Sequence, residues 1–250
     1  MTKAEIQFVR SLSDKRVRDE ERLFIAEGAK LVEEIQNSDF RIRAIYTTRK
    51  DIAGRGVEYV ERKDMERISQ LKTPADCVAI VEQPRHRLQL SSIAGNLVLA
   101  LDGVQNPGNL GTILRLADWF GVRDVICSKE CADCFNPKVV QATMGAILRV
   151  RVHYVDNLAQ VLNEAKSLGM PIYGTLLDGE NIYSKRLQNR GVIVMGNEGR
   201  GLSDECQEAL TDRLFIPPYP ANCPTSESLN VAMATGIIIA EFRRGKYESK

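Results

Sequence analysis

Residues suited to chemistry first appear in a loop that follows the apolar run 97–101. The loop, residues 102–111, reads DGVQNPGNLG and leads into a helix that carries Arg115. In parallel α/β sheets, ligands bind at the carboxyl ends of strands, and glycine lets backbone amides approach them closely. We therefore expect a ligand site here. Two alternatives stay open: Asn109 stands where a helix N-cap belongs, and Arg115, off its helix's apolar stripe, is also a candidate solvated arginine.

A second segment of this kind is 192–203, VIVMGNEGRGLS. The pattern predicts a buried strand, a glycine-rich turn and a helix capped by Ser203. Three glycines within six residues indicate unusual backbone angles or close contact with another group. A purely structural turn is the alternative, and it would account for two of the three.

The third segment begins with the run LFIPP at 214–218, continues through a polar stretch to Glu227, and ends with SLNVAMA at 228–234. The final helix is predicted to begin near Ser228, and this residue is a candidate for its N-cap. Asn230, in the first turn of that helix, is not explained by capping. The small residues after it allow close packing against a ligand or another helix.

Several classes of function are disfavoured by motifs that the sequence lacks. It contains no GxGxxG motif of a nicotinamide-dependent dehydrogenase and no GxxxxGK[ST] motif of a P-loop protein. It also lacks the GxSxG motif of an ordinary hydrolase. Six cysteines are interpreted as thiols. A zinc site built on Cys127, Cys131 and Cys134 would need a fourth ligand, from Cys223 or a histidine, and the spacing matches no standard pattern. We predict no metal.

The elements that position these segments indicate two α/β domains. Short alternating elements fill the first part of the chain, and the polar stretch Glu82–Ser92 is the best linker, so the predicted domains are 1–83 and 93–250. In the second domain, apolar runs at 97–101, 125–127, 172–176 and 192–195 are separated by helical patterns, which predicts a mostly parallel sheet covered on both faces. The helical pattern after the first run places Leu110, Ile113, Leu114, Ala117 and Phe120 on one apolar stripe. A net charge of +1 is evidence neither for nor against nucleic-acid binding, because binding depends on local charge. No run reaches the roughly 18 apolar residues of a membrane span, and the charged N-terminus is unlike a signal peptide, so a cytoplasmic location is expected.

Taken together and in this order, the three segments resemble the motifs of the SpoU/TrmH family of RNA 2'-O-ribose methyltransferases, within the SPOUT superfamily. The N-terminal residues 24–28, FIAEG, resemble part of the small L30-like substrate-binding domain of that family. The residues that match the three motifs are Asn109, Gly111 and Arg115, then Gly196, Asn197, Glu198 and Gly201, then Ile216, Pro217, Ser228, Leu229, Asn230 and Val231.

This resemblance implies a SPOUT domain with a deep trefoil knot, a homodimer, S-adenosylmethionine as methyl donor and structured RNA as substrate. The two-domain layout resembles the members that modify rRNA more than the minimal ones that modify tRNA. The interval from Pro218 to Glu227 is longer than the family pattern, which predicts a reshaped pocket rim. The implied donor-binding residues are Leu176, Gly196, Asn197, Ile216, Pro217 and Leu229.

The resemblance also implies catalytic residues. Arg115 would stabilise the developing oxyanion and clamp an RNA phosphate, since a guanidinium with a pKa above about 12 is a poor base. Asn109, Glu198, Ser228 and Asn230 would orient Arg115 and the ribose, with Glu198 as the electrostatic partner of the arginine. The reaction requires no metal. A noncatalytic RNA-binding protein of the same fold is the competing hypothesis.

Overall fold

Two sheets organise the chain, each in its own compact unit. The structure, a computed structural model, describes residues 1–220 and 226–247. One unit consists of Met1–Arg85 together with Asp133–Leu148, and the other of His86–Ala132 together with the residues from Arg149 onward. The segment 133–148, which the sequence analysis assigns to the second domain, therefore packs with the first unit, where Val140 enters the core beside Phe24 and Ala26.

The elements of the first 85 residues are α1 (Lys3–Ser11), α2 (Lys15–Glu21), β1 (Leu23–Glu27), α3 (Ala29–Gln36), β2 (Ile42–Thr47), β3 (Val57–Tyr59), α4 (Arg62–Ile68) and β4 (Cys77–Glu82). Residues 86–148 form α5 (Leu90–Ile93), β5 (Leu97–Leu101), α6 (Pro107–Trp119), β6 (Asp124–Ser128), α7 (Pro137–Thr143) and a 3-10 turn (Ala146–Leu148). The remainder forms β7 (Arg151–Val155), α8 (Leu158–Ser167), β8 (Ile172–Asn181), β9 (Gly191–Met195), α9 (Asp204–Glu208), β10 (Asp212–Phe215) and α10 (Val231–Tyr247).

The first unit is a four-stranded sheet in the order β1-β4-β2-β3. Strands β1 and β2 run antiparallel to β4, and β3 runs parallel to β2. The helix α1 packs one face through Ile6 and Val9, which are three residues apart and so share a side of the helix. A capping box between Thr2 and Glu5 begins that helix. This topology brings the ends of β1, β2 and β3 to one edge, where β4 begins.

The second unit confirms the predicted parallel sheet. Its six strands follow the order β10-β8-β9-β5-β6-β7, and every pairing is parallel. All residues of β5, β6 and β9 are buried, as expected for strands covered on both faces. The helix α6 buries Leu110, Ile113, Leu114 and Ala117, the predicted apolar stripe. Among the described helices, none is long and apolar enough to cross a membrane.

Two boundaries in this unit differ from the sequence prediction. The strand predicted at 172–176 continues to Asn181, because its second half pairs with β10. The final helix, predicted to begin near Ser228, begins at Val231. The reason for the later start is a side-chain cap from Asn230, which is described with the site.

A buried ion cluster at the start of β6 gives the fold a specific acid sensitivity. Burial alone would raise the pKa of Asp124, but its carboxylate accepts hydrogen bonds from Arg151 at 2.6 and 2.8 Å and lies 3.0 Å from His153 Nε2. These interactions outweigh burial and hold the pKa of Asp124 at about 2. The free carboxyl titrates near about 4, so the folded state favours the ionised form.

We expect Asp124→Asn to destabilise the protein by an amount that depends on pH. A depressed carboxyl pKa contributes stability that is fully present above the unfolded-state value and is lost as the pH falls through about 2. Urea unfolding should therefore give a difference between wild type and variant that is constant from about pH 5 to pH 7 and shrinks between about pH 4 and pH 2. A difference that stays constant down to pH 2 would contradict this assignment.

Candidate active site

The turn after β9 is held by the side chain of Asn197. Its Nδ2 donates to the Gly103 carbonyl at 2.7 Å, and its Oδ1 accepts from the backbone N–H groups of Gly199 and Arg200 at 2.9 and 3.1 Å. The backbone of Asn197 also exchanges two hydrogen bonds with Gly201, at 2.9 and 3.0 Å. Asn197 thus closes the turn on itself and ties it to the loop after β5.

Two of the three glycines in this turn have a backbone reason to be glycine. A Cβ on Gly196 would lie 2.3 Å from the carbonyl carbon of Gly201 and 2.5 Å from the nitrogen of Leu202. Gly201 has φ +72°, a left-handed conformation that side chains disfavour. Gly199 has neither constraint, since the nearest atom to its added Cβ would be 3.7 Å away. The turn is therefore tight at its two ends and open at Gly199.

A cavity of about 520 Å³ lies between this turn and the end of β8. Residues 227–229, just before α10, form part of its wall. The volume of the cavity is within the range of about 300–1,000 Å³ that is usual for small-molecule sites. Of the predicted donor-binding residues, the cavity is lined by Leu176, Gly196, Asn197, Ile216 and Leu229. Pro217 follows Ile216 in the chain and is not among the lining residues.

The start of α9 is fixed by Asp102, at the end of β5. One oxygen of Asp102 accepts hydrogen bonds from both the backbone nitrogen and the hydroxyl of Ser203, each at 2.7 Å. Ser203 occupies the predicted N-cap position, but its hydroxyl donates to Asp102 and makes no capping bond. The loop after β5 and the turn after β9 are therefore joined through both Asp102 and Asn197.

Three predicted catalytic residues form one hydrogen-bonded chain. Asn230 Nδ2 donates to Asn109 Oδ1 at 3.0 Å, and Asn109 Nδ2 donates to Glu198 Oε1 at 2.9 Å. Each residue comes from a different segment: Asn109 from α6, Glu198 from the turn after β9, and Asn230 from the start of α10. The three segments singled out in the sequence thus meet at one point.

The capping alternatives proposed for two residues are wrong. Asn106, not Asn109, caps α6: its Oδ1 accepts from the backbone nitrogens of Gly108 and Asn109 at 2.8 and 3.1 Å. Likewise Asn230, not Ser228, caps α10, accepting from Ala232 at 3.0 Å. The dipeptide Asn106-Pro107 carries the signal that the sequence analysis missed, because proline favours the first helical position directly after the cap.

Glu198 is poised as a charged acceptor. Burial alone would raise its pKa, but the hydrogen bond from Asn109 and further ones from the backbone, including Asn106, outweigh that effect and lower the pKa. The backbone nitrogen of Asn106 lies 3.4 Å from the same Oε1. The carboxylate is therefore ionised at neutral pH and fixes the orientation of the Asn109 amide.

Arg115 is exposed and makes no hydrogen bond or ion pair with any residue that the structure describes. Glu198, the predicted electrostatic partner of Arg115, forms no salt bridge with it among the described residues, and its carboxylate accepts hydrogen bonds from Asn109 and the backbone nitrogen of Asn106. Six residues separate Asn109 from Arg115, which is about 9 Å along the helix and about 240° around it. The guanidinium is thus left available for an external partner.

Ser228 is exposed and lines the cavity. Cys127, Cys131 and Cys134 are buried and form no disulfide. In residues 1–220 and 226–247, no group of three or more His, Cys, Asp or Glu side chains could hold a metal ion. Cys223, and residues 221–225 of the long interval after Pro218, lie outside the described residues.

Comparison with known proteins agrees with this geometry. Residues 96–240 match the model of the SpoU rRNA Methylase family, and residues 3–79 match the MRM3-like substrate binding domain. The 23S rRNA (guanosine(2553)-2'-O)-methyltransferase RlmP of Bacillus subtilis (strain 168) is 30% identical over 241 residues, which is 94% of each chain. The 23S rRNA (guanosine-2'-O-)-methyltransferase RlmB of Neisseria meningitidis is 32% identical, over 75% of this chain and 76% of its own.

Solved structures give the same result. A TrmH-family protein from Porphyromonas gingivalis superposes with a TM-score of 0.87 at 40% identity, covering 98% of this chain and 99% of its own. The AdoMet-bound rRNA methyltransferase from Sinorhizobium meliloti superposes with a TM-score of 0.85 at 32% identity, covering 98% of this chain and 96% of its own. With a family match over more than half of its length and a relative of this identity along nearly all of it, the chain belongs to the SpoU rRNA methylase family.

Proposed function

We propose that this chain is an RNA 2'-O-methyltransferase that uses S-adenosylmethionine to methylate a ribose of rRNA. One observation carries the proposal: the chain of hydrogen bonds from Asn230 through Asn109 to Glu198 joins three separate segments beside a cavity of about 520 Å³. The relatives RlmP and RlmB, which are similar along most of this chain, are named as 23S rRNA 2'-O-methyltransferases.

The cavity fits a methyl donor of this kind. Leu176, Ile216 and Leu229 provide apolar walls for an adenine ring, and the turn around Gly196 and Asn197 presents backbone groups at the rim. We assign the donor to these five residues, with Pro217 shaping the backbone next to Ile216. When bound, S-adenosylmethionine supplies the electrophilic methyl group. The Sinorhizobium meliloti neighbour is a structure with AdoMet bound.

The chain's own residues position and activate the ribose. In methyl transfer the ribose oxygen would bond to the methyl carbon as the carbon–sulfur bond breaks, with S-adenosylhomocysteine as leaving group and the neighbouring RNA phosphate accepting the hydroxyl proton. The oxygen must approach in line, so holding it in place carries much of the catalysis. Arg115, which has no partner among the described residues, stabilises the developing oxyanion and clamps a neighbouring phosphate. Asn109 and Asn230 orient the ribose, the ionised Glu198 fixes the Asn109 amide, and Ser228 contacts the substrate from the cavity wall.

Ribosomal RNA is the proposed substrate class, in preference to tRNA. The match of residues 3–79 to the MRM3-like substrate binding domain supports an RNA-binding role for the first unit. Two solved structures named for tRNA modification superpose on 64% and 62% of this chain, whereas the rRNA methyltransferase from Sinorhizobium meliloti superposes on 98% of it. Because RlmP and RlmB are both named for guanosine, a guanosine ribose is the expected target.

A homodimer is proposed from exposed apolar side chains on α6 and α10. Trp119, the last residue of α6, is 81% exposed. On α10, which packs against α6, Met233 is 63% exposed. Exposed apolar residues of this size mark interaction surfaces, and a second copy is the occupant we propose. Light scattering after size exclusion should give twice the 27.9 kDa chain mass. A mass of one chain at micromolar concentration would contradict the dimer.

We propose that the C-terminal segment of this chain forms a deep trefoil knot. Ile216 and Leu229 flank the interval 217–228 and line the same cavity as the turn after β9, which supports a C-terminal segment that threads past that turn into a deep trefoil knot. We retain 1–83, of L30-like type, and 93–250 as the functional domains. We also propose a cytoplasmic location, which agrees with the five described cysteines, none of which forms a disulfide.

Transfer of a tritiated methyl group tests the proposed function. Purified protein is incubated with labelled S-adenosylmethionine and separate pools of unmodified rRNA and tRNA transcripts. We expect label in the rRNA pool. Label found only in tRNA would show that tRNA, and not rRNA, is the substrate. Binding of donor and RNA without any methyl transfer would establish the noncatalytic alternative.

A further inference from the structure

One edge of the first unit's sheet gathers four chain segments. Strands β1, β2 and β3 all end there, and β4 begins there. Backbone hydrogen bonds tie the segments together: Gly28 donates to the carbonyl of Cys77 at 2.9 Å, and Thr48 donates to that of Asp76 at 3.0 Å. The segments therefore form a fixed surface and not a set of independent loops.

The loop before β4 is held by a buried carboxylate. Glu27, the last residue of β1, is 4% exposed, and it accepts hydrogen bonds from the Ser69 hydroxyl at 2.5 Å and the backbone nitrogen of Gln70 at 2.7 Å. Burial raises the pKa of Glu27, although both hydrogen bonds oppose the rise. This bond fixes the loop that contains Lys72, two residues beyond Gln70.

This edge carries unpaired positive charge. Lys30 follows β1, Lys50 follows β2 and Lys72 precedes β4, and all three are exposed. None of them forms an ion pair with a carboxylate that the structure describes. The carboxylates of the same edge are instead taken by other cations: Asp51 by Arg49, Glu61 by Lys63, and Asp76 by Arg62.

At the opposite edge of the sheet, the cations are paired with carboxylates. There Arg41 pairs with Glu82 at 4.0 Å, and Arg43 pairs with Glu21 at 3.7 Å. Nearby on α2, Lys15 and Arg16 pair with the acids one turn further along. Exposed ion pairs of this kind largely cancel each other's field, so these cations provide a matched control for the three unpaired lysines.

An exposed aromatic ring lies at the same edge. Tyr59, the last residue of β3, pairs in register with Thr47 at the end of β2 and is 58% exposed. Its hydroxyl donates to the Ile52 carbonyl at 3.1 Å, which restrains the ring. Aromatic rings held in this way are the stacking platforms on which RNA-binding proteins place unpaired bases.

We propose that this surface, formed by Lys30, Lys50, Lys72 and Tyr59, binds the RNA substrate: the lysines contact phosphates and the tyrosine stacks an unpaired base. The inference rests on the proposed function, since it assigns the substrate's docking surface. Three unpaired ammonium groups on three separate segments suit the repeated charges of a phosphate backbone, and the ring adds a contact that needs a base.

Replacement of the three lysines by alanine tests the phosphate contacts in the full chain. Filter binding measures the affinity for an unmodified 23S rRNA transcript from about 50 to 200 mM salt. We expect Kd to rise about 10- to 30-fold and the salt slope to become shallower by about 2 to 3. The control Lys15→Ala/Arg16→Ala/Arg41→Ala removes the same charge from paired positions and should change Kd less than about 3-fold.

Two further variants separate binding from folding and charge from stacking. The triple lysine-to-arginine variant keeps the charge and should bind as wild type. Tyr59→Phe should also bind as wild type, whereas Tyr59→Ala should lose about 10-fold. Equal losses in the lysine variant and the paired-cation control, or a Tyr59→Ala variant that binds normally, would overturn the surface.

The outcomes also separate this inference from the proposed function. If wild type binds rRNA through these residues but transfers no methyl group, the surface stands and the enzymatic proposal fails. If wild type methylates rRNA and the lysine variant binds and methylates it equally well, the function stands and the surface fails. Calorimetry of donor binding should give the same affinity for wild type and the lysine variant.

Discussion

Arg115→Ala is expected to lower the rate of methyl transfer by about 10²–10³-fold, the usual cost of removing a group that stabilises developing negative charge. The residue is exposed and has no partner within the described chain, so its removal breaks no contact of the fold. S-adenosylmethionine affinity should stay within about 2-fold of wild type, because Arg115 does not line the cavity. Single-turnover kinetics with saturating RNA measures the rate separately from binding.

Two companion variants sharpen this prediction. Arg115→Lys keeps the charge but loses the bidentate geometry, so its rate should fall between those of wild type and Arg115→Ala. Arg123→Ala removes another exposed arginine of the same unit, directly before β6, and should leave the rate unchanged. A wild-type rate for Arg115→Ala, with normal donor and RNA binding, would remove Arg115 from the catalytic assignment.

Gly196→Ala is expected to weaken S-adenosylmethionine binding by more than about 100-fold, or about 2.7 kcal/mol. The new Cβ would lie 2.3 Å from the carbonyl carbon of Gly201, and a backbone atom cannot yield as a flexible side chain can. The turn must therefore open, which moves the cavity wall that Gly196 and Gly201 form. Isothermal titration calorimetry measures the loss directly.

Gly199→Ala is the matched control for this prediction. It changes the same residue type in the same turn, but its Cβ would meet no atom closer than 3.7 Å. We expect donor affinity within about 3-fold of wild type and an unchanged melting temperature, since the substitution creates no strain. Equal losses for both alanine variants would mean that the turn responds to any substitution, and the close approach at Gly196 would not be the cause.

Much of the fold follows from local patterns. Continuous apolar runs separated by helical periodicity predicted the parallel sheet, because strands buried on both faces need apolar residues at every position. The stripe through Leu110, Ile113 and Leu114 predicted the buried face of α6 for the same reason. The three segments that the sequence singled out do meet, since parallel strands end at one edge of a sheet.

The helix caps were mispredicted where neighbouring polar residues compete for the same position. Asn106 and Asn109 are both good helix caps, and only the backbone shows that Asn106 takes that role and leaves the Asn109 amide for Glu198. The same choice arises between Ser228 and Asn230. Opposite charge alone does not specify a direct contact, and the carboxylate of Glu198 contacts Asn109 while Arg115 stays exposed.

The packing of residues 133–148 with the first unit had no local signal. Those residues form a short helix and a turn, and their sequence does not predict in which hydrophobic core Val140 is buried. Long-range choices of this kind depend on the complementary surface elsewhere in the chain. Sequence periodicity identifies a buried face but not its partner.

The most direct test of the account is to locate the transferred methyl group. Labelled rRNA from the transfer reaction is digested with a nuclease and mapped by alkaline hydrolysis, which cannot cleave the bond after a 2'-O-methylated ribose. We expect one protected linkage, which is absent when the reaction uses Arg115→Ala. Label on a base, or spread over many riboses, would contradict it.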